Sequence, residues 1–275
     1  MTRVALFQSR TGIDPQTNAR ALVEAIGEAA DGGAEILFTP EMSGLLDRDT
    51  ARARKNLRGE DEDAVLAACR AGAKESGIWI HLGSLAVLVE NGKVANRGFV
   101  IDREGQIRAR YDKIHLFDVD LPTGESWRES ATYSAGNDVA VVNGTPVGKL
   151  GLTICYDLRF PALFARLAEA HADVIAVPAA FTVPTGRAHW HILLRARAIE
   201  AGLFVVAAAQ FGRHEDGRQT YGHSLVVDPW GEVLLDMGEG QGIGFADVDL
   251  ARISDVRSRI PALNHRRPIP EVMAR

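Results

Sequence analysis

The chain of 275 residues holds only two cysteines, Cys69 and Cys155, which excludes a disulfide scaffold and fits a reducing compartment. Lysine and arginine never run longer than a pair such as Arg266-Arg267, and the net charge is −5, so no nucleic-acid surface is expected. Long apolar runs are missing too. The longest, Leu203–Ala209, is far too short to span a bilayer, so no membrane segment is expected. The first residues pass straight into Val4-Ala-Leu-Phe-Gln8 without a basic stretch followed by a long apolar one. No secretory signal is predicted, and the expected location is cytoplasmic. No repeat, low-complexity segment or linker divides the chain, so one domain over 1–275 is expected, an enzyme or binding protein by default.

Strand and helix signals alternate throughout. A strand at about 3–8 precedes a helix at about 15–31, and Gly32-Gly33 and Pro40 bracket a strand at about 34–39. A helix at about 61–76 leads into a strand that reaches the hairpin turn Asn91-Gly92, and Asp102–Gly105 turns the chain again. Residues 113–137 carry no clear period. Strands at about 147–155, 173–178 and 203–209 then alternate with helices at about 161–171 and 188–201. A hairpin turning at Pro229-Trp-Gly231 and a strand at about 244–248 follow. The mixture implies an α/β class.

The chemistry concentrates where strands end. Cys155 lies at the end of an apolar strand and just before a polar turn, with Pro161 suited to the first turn of the next helix. A thiol near a helix N-terminus is expected to have a lowered pKa and to be nucleophilic, although a cysteine in an apolar strand also serves as a small core residue. Glu41 follows the strand before Pro40, and Lys113 leaves the strand ending Tyr111-Asp112. Each alone fits a solvated surface charge. Together they deliver a carboxylate, a cation and a thiol to strand ends, where open α/β sheets place ligands. Cys69 sits in a helical pattern and is expected to be structural.

Pro40-Glu41, Tyr111-Asp-Lys113-Ile-His-Leu-Phe117 and Cys155-Tyr-Asp-Leu-Arg-Phe-Pro161 resemble, in this order, the three signature segments of the nitrilase superfamily of carbon–nitrogen hydrolases. Further segments resemble the branch that includes deaminated glutathione amidase: His189-Trp190, Leu194–Glu200, Ala207–His214, Tyr221–Gly231 and His265-Arg-Arg-Pro268. The resemblance implies an αββα four-layer sandwich, two stacked mixed sheets flanked by helices, which dimerises through its outer helices. It also implies an amidase. Cys155 would be the nucleophile that forms a thioester, Glu41 the proton carrier, and Lys113 with the backbone N–H of Tyr156 the oxyanion donors. Glu129, in Trp127-Arg-Glu129-Ser130, would hold Lys113.

Deaminated glutathione is the leading substrate on this resemblance, giving α-ketoglutarate and cysteinylglycine. An ω-amidase acting on α-ketoglutaramate, or on another short amide, nitrile or N-carbamoyl compound, is the alternative. A redox-responsive or non-catalytic scaffold using Cys155 is the alternative from another class. An amide substrate bearing a carboxylate needs a clamp, and Arg159, four residues past the thiol, is the candidate, with an ion pair to Asp157 as the competing role. Thr185, Arg213 and His214 are further candidates at the rim. No cofactor or metal is expected, since His189 and His191 stand two apart and His214 and His223 nine apart without a clustered ligand set. A Cys–His pair using His115 or His223 is conceivable. Gly238–Gly244 is rich in glycine but precedes a strand, which makes it a turn and not a phosphate loop.

Overall fold

The computed structural model describes residues 1–120, 124 and 126–274. Chain order in the first half is β1 (Thr2–Gln8), α1 (Pro15–Asp31), β2 (Ile36–Phe38), α2 (Thr50–Asn56), α3 (Ala64–Ser76), β3 (Trp79–Leu88), β4 (Val94–Ile101) and β5 (Ile107–Asp112). Three short strands follow, β6 (Asp118–Asp120), β7 (Ser126–Arg128) and β8 (Tyr133–Ser134). The second half runs β9 (Val141–Thr145), β10 (Gly148–Leu152), α4 (Pro161–Glu169), β11 (Val174–Ala176), α5 (Val183–Ala201) and β12 (Phe204–Ala207). It closes with β13 (Phe211–Arg213), β14 (Gln219–Tyr221), β15 (Leu225–Val227), β16 (Val233–Asp236), β17 (Gly242–Val248) and α6 (Ala251–Arg259).

Two mixed sheets result. One has the order β17-β1-β2-β3-β4-β5, with β8 joined to β4; the other has the order β16-β15-β12-β11-β10-β9. Successive side chains on a strand point to opposite faces, and that alternation builds the layers. Val4, Leu6, Ile36, Phe38 and Val100 face the second sheet and join one core with Leu150, Leu152, Val174 and Val205. Their neighbours Ala5, Leu37, Phe99 and Ile101 face the other way, onto Leu22 and Ile26 of α1 and Leu66 and Cys69 of α3. On the far side of the second sheet, Phe164 and Leu167 of α4 and Trp190 and Leu194 of α5 close the first of these cores. The order helix, sheet, sheet, helix is the expected αββα sandwich. Strands buried on both faces read as continuous apolar runs, which is why the sequence gives them so plainly.

Several boundaries move. β10 ends at Leu152, so Cys155 does not belong to the strand; it opens a 3-10 turn, Cys155–Arg159. α5 begins at Val183, five residues before the expected start, with Pro184 in its first turn. The helix α2 carries no buried residue and hangs on its cap, where the Asp49 side chain accepts from the Arg52 N–H. In α6 only Ile253 and Val256 are buried. Neither helix has an apolar stripe long enough to show in sequence. Among the described residues no helix is long and apolar enough to cross a membrane.

Candidate active site

Three turns converge. The first follows β2, where Pro40 and Glu41 end the strand and Met42 takes a positive φ of 59°. Ser84 fixes that turn, its hydroxyl accepting from the Met42 N–H at 2.9 Å and its carbonyl from the Ser43 N–H at 2.9 Å. Gln210 donates to the Glu41 carbonyl at 3.0 Å. β3 crosses directly beneath at Gly83. A Cβ there would lie 2.1 Å from the Thr39 carbonyl oxygen and 2.4 Å from that of Pro40, so only glycine fits.

The second turn carries Cys155, whose φ of 47° is unusual for a non-glycine residue. Asp157 holds it. One carboxylate oxygen accepts from the Ile154 N–H at 2.9 Å and the Tyr111 hydroxyl at 2.7 Å, and the other from the His115 N–H at 3.1 Å. The His115 ring also bonds this carboxylate, at 2.7 Å, and stacks on Phe160 with ring centres 3.5 Å apart. His115 therefore supports the turn and is no partner for the thiol. Tyr156 stands in the first turn of the 3-10 segment, where backbone N–H groups lack acceptors within the helix.

The third turn follows β5 and brings in Lys113. Its Nζ donates to Glu41 Oε1 at 2.9 Å and to Glu129 Oε2 at 2.9 Å, with the Lys113 and Glu41 side chains 2% and 6% exposed. Glu129 is fixed in turn by the Phe117 N–H at 2.7 Å. Asn96, on β4, donates from one Nδ2 to both Glu41 Oε1 at 3.0 Å and Glu129 Oε1 at 3.1 Å. It bridges two carboxylates that would otherwise repel, and nothing in its sequence neighbourhood marks it. The other Glu41 oxygen accepts from the Ala180 N–H at 3.0 Å.

Electrostatics follow from this packing. Burial alone would raise the Glu41 carboxyl, but the charge and hydrogen bond of Lys113 outweigh it and hold Glu41 below its ordinary value. Burial alone would lower Lys113, yet the charges of Glu129 and Glu41 raise it well above its usual range. Burial, reinforced by the Glu41 charge, pushes the Cys155 thiol well above 9.0, and the Lys113 charge only partly opposes it. This corrects the expectation of a thiol with a lowered pKa. The helix end near Cys155 acts weakly beside a buried carboxylate at the same site, so the resting group is a thiol with a base beside it.

Glu41, Lys113, Glu129 and Cys155 line a cavity of about 830 Å³. Its described walls also carry Arg48, Arg54, Lys93, Arg128, Arg159 and Arg218, with Asp47 the one further acid. A chain of net charge −5 thus lines this cavity with cations, which suits an anionic ligand. Arg159 lines it as expected, lying 5.6 Å over the Phe181 ring and 3.2 Å from His189 Nδ1. It makes no ion pair with Asp157, which is saturated by the bonds described above. Thr185 also lines the cavity. Arg213 and His214 do not. Arg213 is exposed, while His214 is buried between the Thr11 carbonyl at 2.9 Å and the Thr220 hydroxyl at 2.8 Å. The β13–β14 hairpin turns Arg218, Gln219 and Thr220 to the cavity in their place.

The histidines also depart from expectation. His191 and His223 meet at Asp236, whose carboxylate lies 3.0 Å from His191 Nε2 and 2.9 Å from His223 Nδ1, outside the cavity lining. Sequence spacing hid this cluster because its members come from α5, the β14–β15 loop and β16. Cys69 lies in the α1–α3 core, apart from the cluster that contains Cys155, so it is no resolving thiol for it.

The family model for carbon-nitrogen hydrolase matches residues 3–258. The chain belongs to the carbon-nitrogen hydrolase family. As a member of the nitrilase superfamily it is an enzyme that acts on amides. It is 40% identical to deaminated glutathione amidase of Mus musculus over 272 residues, covering 96% of this chain and 83% of that protein. The NitFhit protein of C. elegans superposes with a TM-score of 0.89 at 37% identity, over 97% of this chain; the chain spans 65% of that protein. A glutamate-to-glutamine mutant of an amidase from Nesterenkonia sp. AN1, 26% identical with a TM-score of 0.77 over 95% of this chain and 98% of its own, has been seen with acrylamide added to its active site cysteine.

Proposed function

We propose that this carbon-nitrogen hydrolase is a deaminated glutathione amidase, acting as a single catalytic domain through Cys155. The observation that carries the mechanism is the Glu41–Lys113–Glu129 ion-pair chain in the same cavity as Cys155. Glu41 takes the Cys155 proton as sulfur attacks the amide carbon, and the oxyanion is met by Lys113 Nζ and the Tyr156 N–H. Collapse of that intermediate breaks the C–N bond, with Glu41 returning the proton to the departing amine. Glu41 then deprotonates the water that attacks the thioester, which releases the acid and restores the thiol. Glu129 and Asn96 position Lys113 and Glu41.

For the substrate, the cationic lining and the 40% identity to the mouse amidase support an anionic amide. Arg159, four residues past the nucleophile and steadied on Phe181, clamps the carboxylate of the keto-acid portion with its two-pronged guanidinium. The outer face of α5 exposes Ile192 and Ile199, 70% and 53% accessible, a surface that a second copy would cover. That supports a homodimer, and two free cysteines fit a reducing, cytoplasmic location.

The test is hydrolysis of deaminated glutathione against α-ketoglutaramate at matched concentrations, with Cys155→Ala as the blank. A large preference for deaminated glutathione is expected. Preference for α-ketoglutaramate would make the protein an ω-amidase, and turnover of neither would leave the substrate assignment wrong.

A further inference from the structure

Two guanidinium groups on the cavity wall lie over aromatic rings and have no carboxylate partner among the described residues. One is Arg159. The other is Arg48, an exposed residue of the cavity lining, whose guanidinium carbon lies 5.4 Å from the centre of the Trp127 ring. Arg218 lies 5.1 Å from the same ring. Trp127 is thus shared by two cations that would ordinarily avoid each other.

Among the described residues, Asp47, Asp49 and Asp216 are committed elsewhere. Asp47 takes the Arg52 guanidinium at 2.6 and 2.8 Å, and Asp49 caps α2. Asp216 accepts from Arg218 Nε at 2.7 Å and from the Arg48 backbone N–H at 2.9 Å, which ties the two arginine-bearing segments together. Asp216 holds the Arg218 guanidinium, whereas among the described residues the Arg48 guanidinium has no carboxylate partner. Such a group is free to take an anion.

Its place in the cavity says which end of a substrate it meets. Acylation leaves the acyl half bonded to Cys155, beside Arg159 on the same 3-10 segment. The amine half must leave before water attacks, so its side of the cavity must open outward, and Arg48 is an exposed residue of the cavity lining. We infer that Arg48, steadied by Trp127 and flanked by Arg218, binds a second carboxylate on the amine side of the scissile bond. The cavity then selects amides with an acid group at each end. This rests on the functional assignment above, which supplies the dicarboxylate amide.

Binding to the Cys155→Ala protein isolates this contact from turnover. The two probes are deaminated glutathione and the same compound with its glycine carboxyl converted to a carboxamide, compared by calorimetry. The free acid is expected to bind more tightly, and Arg48→Ala in that background to shrink the difference by about 10- to 100-fold, as loss of a charge-assisted bidentate contact does. Arg48→Lys, which keeps the charge but not the fork, should fall between, with thermal unfolding checking that each variant keeps its fold. Equal binding of the two probes, or a difference that survives Arg48→Ala, would overturn the inference. Turnover of the free acid by the parent enzyme tests the underlying assignment separately: its absence with an intact binding difference would sink the assignment and leave the Arg48 contact standing.

Discussion

Cys69 and Cys155 are both buried and both held protonated, yet only one sits in a reactive setting. Burial pushes Cys69 up to about 12 inside the α1–α3 core, among Leu22, Ile26 and Leu66. Cys155 is pushed well above 9.0 by the same burial. The difference lies in the company. Cys69 has helical backbone and apolar neighbours, whereas Cys155 has a positive φ, a carboxylate and an ammonium at one end of a cavity. A low thiol pKa is therefore not what marks the nucleophile here. What marks it is a base placed to remove the proton at the moment of attack.

That contrast can be broken from either side. Cys155→Ala should abolish turnover, a loss of roughly five to six orders of magnitude typical of removing a nucleophile, measured with the preferred amide. Glu41→Gln keeps the shape but removes the base, and should lower kcat by about two to four orders of magnitude. Lys113→Ala should cost about two to three orders as the oxyanion donor goes. It should also lower the thermal unfolding midpoint clearly, because the buried Glu41 and the partly buried Glu129 would be left without their cation.

A smaller effect comes from pH. The Glu41 carboxyl is held below 4.5, so the catalytic base is present above that value and is lost only as pH falls through its lowered pKa. The Cys155 thiol is held above 9.0, so no rise in kcat/KM is expected between about pH 6 and 9, where a free thiol of pKa near 8.5 would give one. Smallest of all, Cys69→Ala should leave kcat/KM within about twofold and cost on the order of 1 kcal/mol of stability in urea unfolding, the usual size of a small core truncation.

The parts of the fold and site that were legible in sequence share a physical cause. Strands buried on both faces must be continuously apolar, and α1 and α3 carry apolar stripes with Asp14 and Asp63 as caps. Glu41, Lys113 and Cys155 were legible because each follows a strong strand signal. Asn96 was not, because its role depends on β4 passing between two carboxylates that come from 41 and 129. Arg48 and Arg218 were hidden likewise, since tertiary packing on Trp127 makes them neighbours. Gly83 did leave a signal: a glycine inside an apolar strand marks a close backbone approach, here to the Glu41 turn. The direction of the thiol shift was missed because helix-end arguments consider only local charge, while burial beside Glu41 is a property of the assembled sandwich.

The account turns on a neutral Cys155 that depends on Glu41, and alkylation by iodoacetamide followed by intact mass tests it most directly. Rates would be measured from about pH 6 to 9 in the parent and in Glu41→Gln, with peptide mapping of the label. The account predicts a single adduct on Cys155, a rate nearly independent of pH in the parent, and in Glu41→Gln a rate that climbs with pH, because without the base the thiol must ionise unaided. A rate that climbs with a midpoint between about pH 8 and 9 in both proteins, or label on Cys69, would contradict it.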